Sequence, residues 1–86
     1  MIINIKDILT LDDDNRYIVI SKINYEKRNY YYLMDVNVNS NIKFCYEEDD
    51  ELIEIDDNKV ITKLLPLFYK EVKDKVDLNK LKNFNQ

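Results

Sequence analysis

Tyr30-Tyr31-Tyr32-Leu33-Met34-Asp35-Val36 is the most apolar and aromatic run in this chain of 86 residues. No helix breaker or cap interrupts it. Successive side chains on a strand point to opposite faces. Tyr30, Tyr32, Met34 and Val36 then line one face, and Tyr31, Leu33 and Asp35 the other. A strand apolar on both faces belongs in the middle of a sheet rather than at its edge.

Toward the N-terminus, Arg16 to Tyr25 alternates. Tyr17, Val19 and Ile23 share one face with Ser21, and Ile18, Ile20 and Lys22 share the other. Glu26 to Asn29 is a polar connection of hairpin length. Ile8 to Leu11 reads as a short strand, and Asp12-Asp13-Asp14-Asn15 as a turn built from residues that tolerate the left-handed region. Ile2, Ile3 and Ile5 form either an edge strand or a packed arm.

Toward the C-terminus, Asn37 to Asn41 is a second turn. Ile42, Phe44 and Tyr46 alternate with Lys43 and Cys45, Glu47 to Asp50 is an acidic turn, and Leu52, Ile53 and Ile55 make a last strand. The period changes at Asp56. Val60, Ile61, Leu64, Leu65, Phe68 and Val72 recur at helical spacing, predicting a helix from 57 to about 74 capped by Asp56 or Asp57. Pro66 removes one helical bond and crowds the preceding turn, so the helix is kinked there or ends and restarts; the favoured reading is a break or sharp kink. Asp77 caps a final short helix bearing Leu78, Leu81 and Phe84, or residues 77–86 fray. The expectation is an α+β fold: an antiparallel four- to five-stranded meander, then a C-terminal helix kinked or broken at Pro66 and packed on one face. Residues 1–76 form a single domain.

Composition narrows the chemistry. The chain has no glycine, histidine or tryptophan, and Cys45 is its one cysteine. That excludes glycine-rich phosphate loops, an imidazole base, His-containing zinc sites and an internal disulfide. No leader and no membrane-length apolar run is visible, so a bacterial cytoplasm is the expected setting. Residues 1–57 carry 6 basic and 14 acidic side chains, and residues 58–86 carry 7 basic and 3 acidic. The acidic half repels nucleic acid and attracts a basic protein surface.

Glu47, Glu48, Asp49, Asp50 and Glu51 offer oxygens that suit a hard cation, but the spacing lacks the glycine and terminal glutamate of a calcium loop. Both this run and Asp12, Asp13 and Asp14 read first as solvated turns, and no metal or cofactor is expected. If the two runs share one surface, their carboxylates stand in for phosphates in a basic groove. The plainer reading is that acidic loops keep a small sheet soluble and discourage edge pairing. The seven tyrosines suit half-buried strand and interface positions better than base stacking, which needs surrounding cations. Tyr31 and Leu33 become contact residues if the helix covers the opposite face. Cys45, without a base to activate it, reads as a small buried apolar residue. No catalytic residue is assigned.

Leu11-Asp12-Asp13, Tyr17-Ile18-Val19, Tyr31-Tyr32-Leu33-Met34-Asp35, Phe44-Cys45-Tyr46-Glu47-Glu48 and Ile55-Asp56 together resemble the small acidic Firmicutes proteins grouped as domain of unknown function 1292. The resemblance covers roughly residues 8–70. That family has no assigned activity, so the resemblance implies a fold and no catalytic residues. The chain is also similar to accessory proteins of phages and mobile elements in low-GC bacteria, some of which inhibit nucleic-acid-guided nucleases. The expected function is a non-catalytic, acidic protein-binding module, in its sharpest form an anti-CRISPR-like inhibitor of a bacterial defence protein. The alternative is a host accessory protein that self-associates, as a homodimer, through exposed tyrosines. Direct binding of nucleic acid or membrane is not expected.

Overall fold

A computed structural model describes residues 2–75, with side chains through Glu71. Five strands cross one antiparallel sheet in chain order: β1 (Ile8–Thr10), β2 (Arg16–Tyr25), β3 (Arg28–Asp35), β4 (Ile42–Glu48) and β5 (Glu51–Glu54). One helix, α1 (Asn58–Lys75), follows. The fold is the expected α+β meander, and the tyrosine run lies in the central strand. The short helix or tail expected at 77–86 lies outside the described residues.

Two links are shorter than the sequence suggests. β2 and β3 are joined by Glu26-Lys27 alone, and β4 and β5 by Asp49-Asp50 alone. All four residues have positive φ, at 51°, 65°, 48° and 64° in chain order. Two successive left-handed residues make the tight turn whose twist matches a hairpin. Asparagine-glycine is its usual filling, but this chain uses charged residues instead. Glu47, expected in a turn, is consequently a strand residue.

A bulge between Val19 and Ser21 breaks the alternation read from β2. Such an extra residue reverses which face the following side chains occupy. Tyr17 and Val19 stay on the face away from α1, whereas Ile23 moves to the α1 face. Lys22 moves the other way, its ammonium standing 5.8 Å from the Tyr31 ring centre. Ser21, fully buried beside Tyr32 in the ladder, keeps a hydroxyl without a hydrogen-bond partner among the described residues.

Each sheet face has its own core. On the α1 face, Leu64, Phe68 and Ile55 pack with Tyr30, Tyr32, Phe44 and Tyr46. Tyr32, Phe44 and Phe68 form a ring triad with centre distances of 5.1, 6.0 and 5.7 Å. The opposite face was expected to be open, and it is not. Tyr17, Val19, Tyr31, Leu33 and Cys45 are buried there under Ile3, Leu9, Leu11 and Leu52. The N-terminal segment therefore acts as an arm, and the twist of a five-stranded sheet brings its two edges toward each other over that face.

α1 runs through Pro66 without ending. Leu64 and Phe68, one turn apart on the buried side, are 1% and 2% exposed. Burying two such side chains contributes about 1.5–3 kcal/mol each, which outweighs the roughly 3 kcal/mol that an internal proline costs. Pro66 itself faces solvent. Asp57 is the cap: its Oδ1 accepts from Lys59 N at 2.9 Å and its carbonyl from Ile61 N at 3.1 Å.

Candidate functional site

A chain of polar contacts borders the core opposite α1. Tyr17 Oη donates to Asp13 Oδ2 at 2.6 Å and accepts from Asn41 Nδ2 at 3.0 Å. The same Asn41 amide donates to Asp35 Oδ2 at 3.0 Å. Asp35, 4% exposed, also accepts from the main-chain N–H groups of Asn37 and Val38, which pins the 36–41 loop. Lys43 lies 3.3 Å from Asp13 and 3.2 Å from Glu54, with its ammonium 5.6 Å from the Tyr17 ring centre. A carboxylate in the first turn, one on the last strand and a cation between them fasten the curled sheet.

The electrostatics follow from these partners. The Tyr17 hydroxyl, with Asn15 N–H and Lys43, holds the Asp13 carboxyl below its ordinary range. The Asn37 amide and Asn41 do the same for Asp35. Burial, then the bond to Asp13, raises Tyr17. Burial of Lys43 favours its neutral form, but Glu54 and Asp13 outweigh that and its affinity for the proton rises. Burial, reinforced by the Glu54 charge, pushes the Cys45 thiol up to about 11.

Of the nine residues singled out in the sequence, five have internal partners: Asp13, Tyr31, Glu47, Glu48 and Asp50. Asp13 holds Tyr17 and Lys43. Tyr31 is fully buried, and its hydroxyl donates to Glu47 Oε1 at 2.7 Å. Tyr31 is therefore no surface contact, because the curled sheet and its arm cover it. Leu33, likewise 0% exposed, is covered with it. Glu48 lies 3.7 Å from Arg28. Asp12, Asp14, Asp49 and Glu51 are exposed and unpaired among the described residues.

The two acidic runs do not share a surface. The Asp12–Asp14 turn joins Thr10 to Arg16, at the end of the sheet where Tyr17 pairs with Asp35 and Met34 with Ile42. The Asp49-Asp50 turn lies at the other end, where Tyr25 pairs with Arg28 and Tyr30 with Tyr46. Links β1–β2 and β4–β5 are separated by three strands, an odd number of traversals, which places them at opposite ends. The intervening seven-residue β4 is about 20 Å long at roughly 3.3 Å per residue. The tyrosines offer little exposed surface either, since Tyr69 alone among them is exposed, at 66%.

A feature not read from the sequence is an apolar stripe. Ile8, Ile18, Met34 and Ile42 are successive partners across four strands, on the α1 face but beyond the core that α1 seals. Ile8 is 56% and Ile42 38% exposed, and Val38 in the adjoining loop is 51% exposed. The sequence showed apolar alternation at each position. Only the register reveals that the four line up. Asp12 and Asp14 border this end of the sheet. Among the described residues, no cluster of carboxylate, histidine or cysteine side chains is arranged to hold a metal ion, and no helix is long and apolar enough to cross a membrane.

Comparison with protein-family models, curated proteins and solved structures finds no match. The likeness to domain of unknown function 1292 is therefore carried only by the residues quoted for it. By its architecture the chain is a single-sheet α+β module, with separate cores on the two faces.

Proposed function

We propose that the chain is a non-catalytic module that binds another protein through the end of the sheet carrying Ile8, Ile18, Met34 and Ile42. The observation supporting this reading is that stripe: four aligned apolar side chains, partly open to water, beside the exposed carboxylates of Asp12 and Asp14. Contiguous apolar surface with a polar rim is the composition of a recognition patch. The apolar centre supplies affinity, and the acidic rim selects a basic partner and speeds its encounter.

The sharper form of this reading is an inhibitor encoded by a phage or mobile element, directed at a bacterial defence protein such as a nucleic-acid-guided nuclease. The exposed carboxylates would occupy part of a groove that otherwise holds phosphates. With the acidic runs at opposite ends, such mimicry uses one end at a time.

Pulldown from a low-GC bacterial host, with the chain as bait, tests both levels. The wild-type chain should retain a basic protein, and retention should weaken as salt rises. Ile8→Asp with Ile42→Asp should abolish capture, while Asp12→Lys with Asp14→Lys should weaken it. Capture undiminished by the isoleucine changes removes the stripe from the interface.

A further inference from the structure

β2 is ten residues long, yet β1 covers only its beginning. Pairing runs from Arg16 to Ile18, and two further bonds join Lys6 N to Val19 O and Val19 N to Asp7 O, at 2.8 and 2.9 Å. The Asn4–Asp7 turn, with Lys6 at φ 77°, then takes the chain away. From Lys22 to Tyr25, β2 has β3 on one side and, among the described residues, no strand on the other.

The direction of each main-chain group follows from the ladder. Bonded and non-bonded pairs alternate in an antiparallel pair. Val19 directs its N–H and C=O to the β1 side, so Val19–Leu33 is a non-bonded pair. The two-residue turn makes Tyr25–Arg28 a bonded pair, as is Ile23–Tyr30. Lys22 and Asn24 therefore turn their N–H and C=O groups outward. An open groove of about 560 Å³ follows this edge, lined by Lys22, Asn24 and Asn29 of the hairpin and flanked by Asn4 and Ile5 of the arm and by Glu71 of α1.

We propose that this edge pairs antiparallel with the same edge of a second copy, about a two-fold axis at Ile23. In that register Lys22 of one copy lies opposite Asn24 of the other, twice over. The two pairs exchange four hydrogen bonds, and the two Ile23 side chains meet. Lys22 then faces an amide rather than another cation, and the lining asparagines can both donate and accept. The opposite sheet edge lacks this self-complementarity. β5 is four residues long with Glu51 and Glu54 at its ends, so pairing it with itself sets glutamate against glutamate. The resulting assembly has one sheet continuous through both copies. It uses neither the apolar stripe nor the acidic turns, so it stands or falls separately from the binding of a foreign protein.

Sedimentation equilibrium of the full chain over a wide range of concentration tests this. The mass should rise from 10.4 kDa toward twice that value. Asn24→Pro should hold it at the single-chain mass. Its ring replaces an outward N–H that the β2–β3 ladder does not use, a position where strands tolerate proline. Asn24→Ala loses the 3.0 Å side-chain bond to Asn29 and the amide opposite Lys22 but keeps all four main-chain bonds of the pairing, and should keep the doubled mass. Amide exchange in the wild-type chain gives a second readout independent of any variant's folding: the Lys22 and Asn24 amides should slow as concentration rises. A single-chain mass at every concentration, a doubled mass in Asn24→Pro, or unprotected Lys22 and Asn24 amides in the doubled species would each overturn the proposal.

Discussion

Lys27 occupies the second position of the β2–β3 turn at φ 65°, without a hydrogen bond, ion pair or ring contact among the described residues. A residue with a Cβ pays roughly 1–2 kcal/mol in the left-handed region because the Cβ crowds the following carbonyl. Glycine avoids that clash, but its freer unfolded chain gives back roughly 0.5–1 kcal/mol. Lys27→Gly should therefore stabilise the fold by about 0.5–1 kcal/mol. A domain of this size unfolds with an entropy of roughly 0.18 kcal/mol/K, from about 2.1 cal/mol/K per residue. The midpoint of thermal unfolding should rise by about 3–6 °C, read by far-ultraviolet circular dichroism and checked by urea titration. Lys27→Ala keeps the Cβ and should leave the midpoint nearly unchanged. A midpoint for Lys27→Gly equal to or below the wild-type value, or an equal gain from Lys27→Ala, would refute the assignment of strain to this turn.

Four further outcomes follow from particular contacts. Asp57→Ala removes the helix cap and should cost about 1 kcal/mol in urea unfolding. Tyr31 is raised above its ordinary value of 10.0 by burial and by Glu47, so its contribution is complete below pH 10 and is lost as the pH climbs above it; Tyr31→Phe should shallow the alkaline limb of the stability profile. Asp35 is depressed below 3.8 by its amide partners, so its contribution is present above that pH and is lost as acid takes the pH through the lower folded value; Asp35→Asn should flatten that acid limb. Cys45, 2% exposed with its thiol raised to about 11, should resist iodoacetamide at pH 8 in the folded chain and react promptly in urea.

The strand order, the central place of the tyrosine run and the capped helix were legible because each rests on a local signal. Periodicity marked β2, β4 and α1, and acidic side chains marked both the first turn and the cap. Three features were not legible, each for a physical reason. The bulge after Val19 consumes one residue without changing the composition of β2, so strict alternation carried Ile23 to the wrong face. The helix passes Pro66 because tertiary burial of Leu64 and Phe68 outweighs a local cost. Tyr31 and Leu33 looked available because covering the second face depends on Ile3, Leu11 and Leu52, none of which neighbours them in sequence.

The count of acids also overstates the field this protein presents. Asp13, Asp35, Glu47 and Glu54 hold tyrosine, asparagine, main-chain or lysine partners, so part of the negative charge serves to fasten the curled sheet. Of the exposed remainder, two groups lie at turns about 20 Å apart along β4, while Glu26, Asp56 and Asp57 are exposed outside those two turns. At physiological salt the screening length is about 8 Å, so a partner at one end is nearly blind to charge at the other. At low salt the screening length exceeds that separation, reaching about 30 Å at 0.01 M, and the two ends act together. Reversing Asp49 and Glu51 should therefore leave the affinity of a partner held at the Asp12–Asp14 end unchanged in physiological buffer. The same substitutions should weaken that affinity at low ionic strength. Equal sensitivity in both buffers would mean that the partner touches both ends, and the single-ended surface would have to be abandoned.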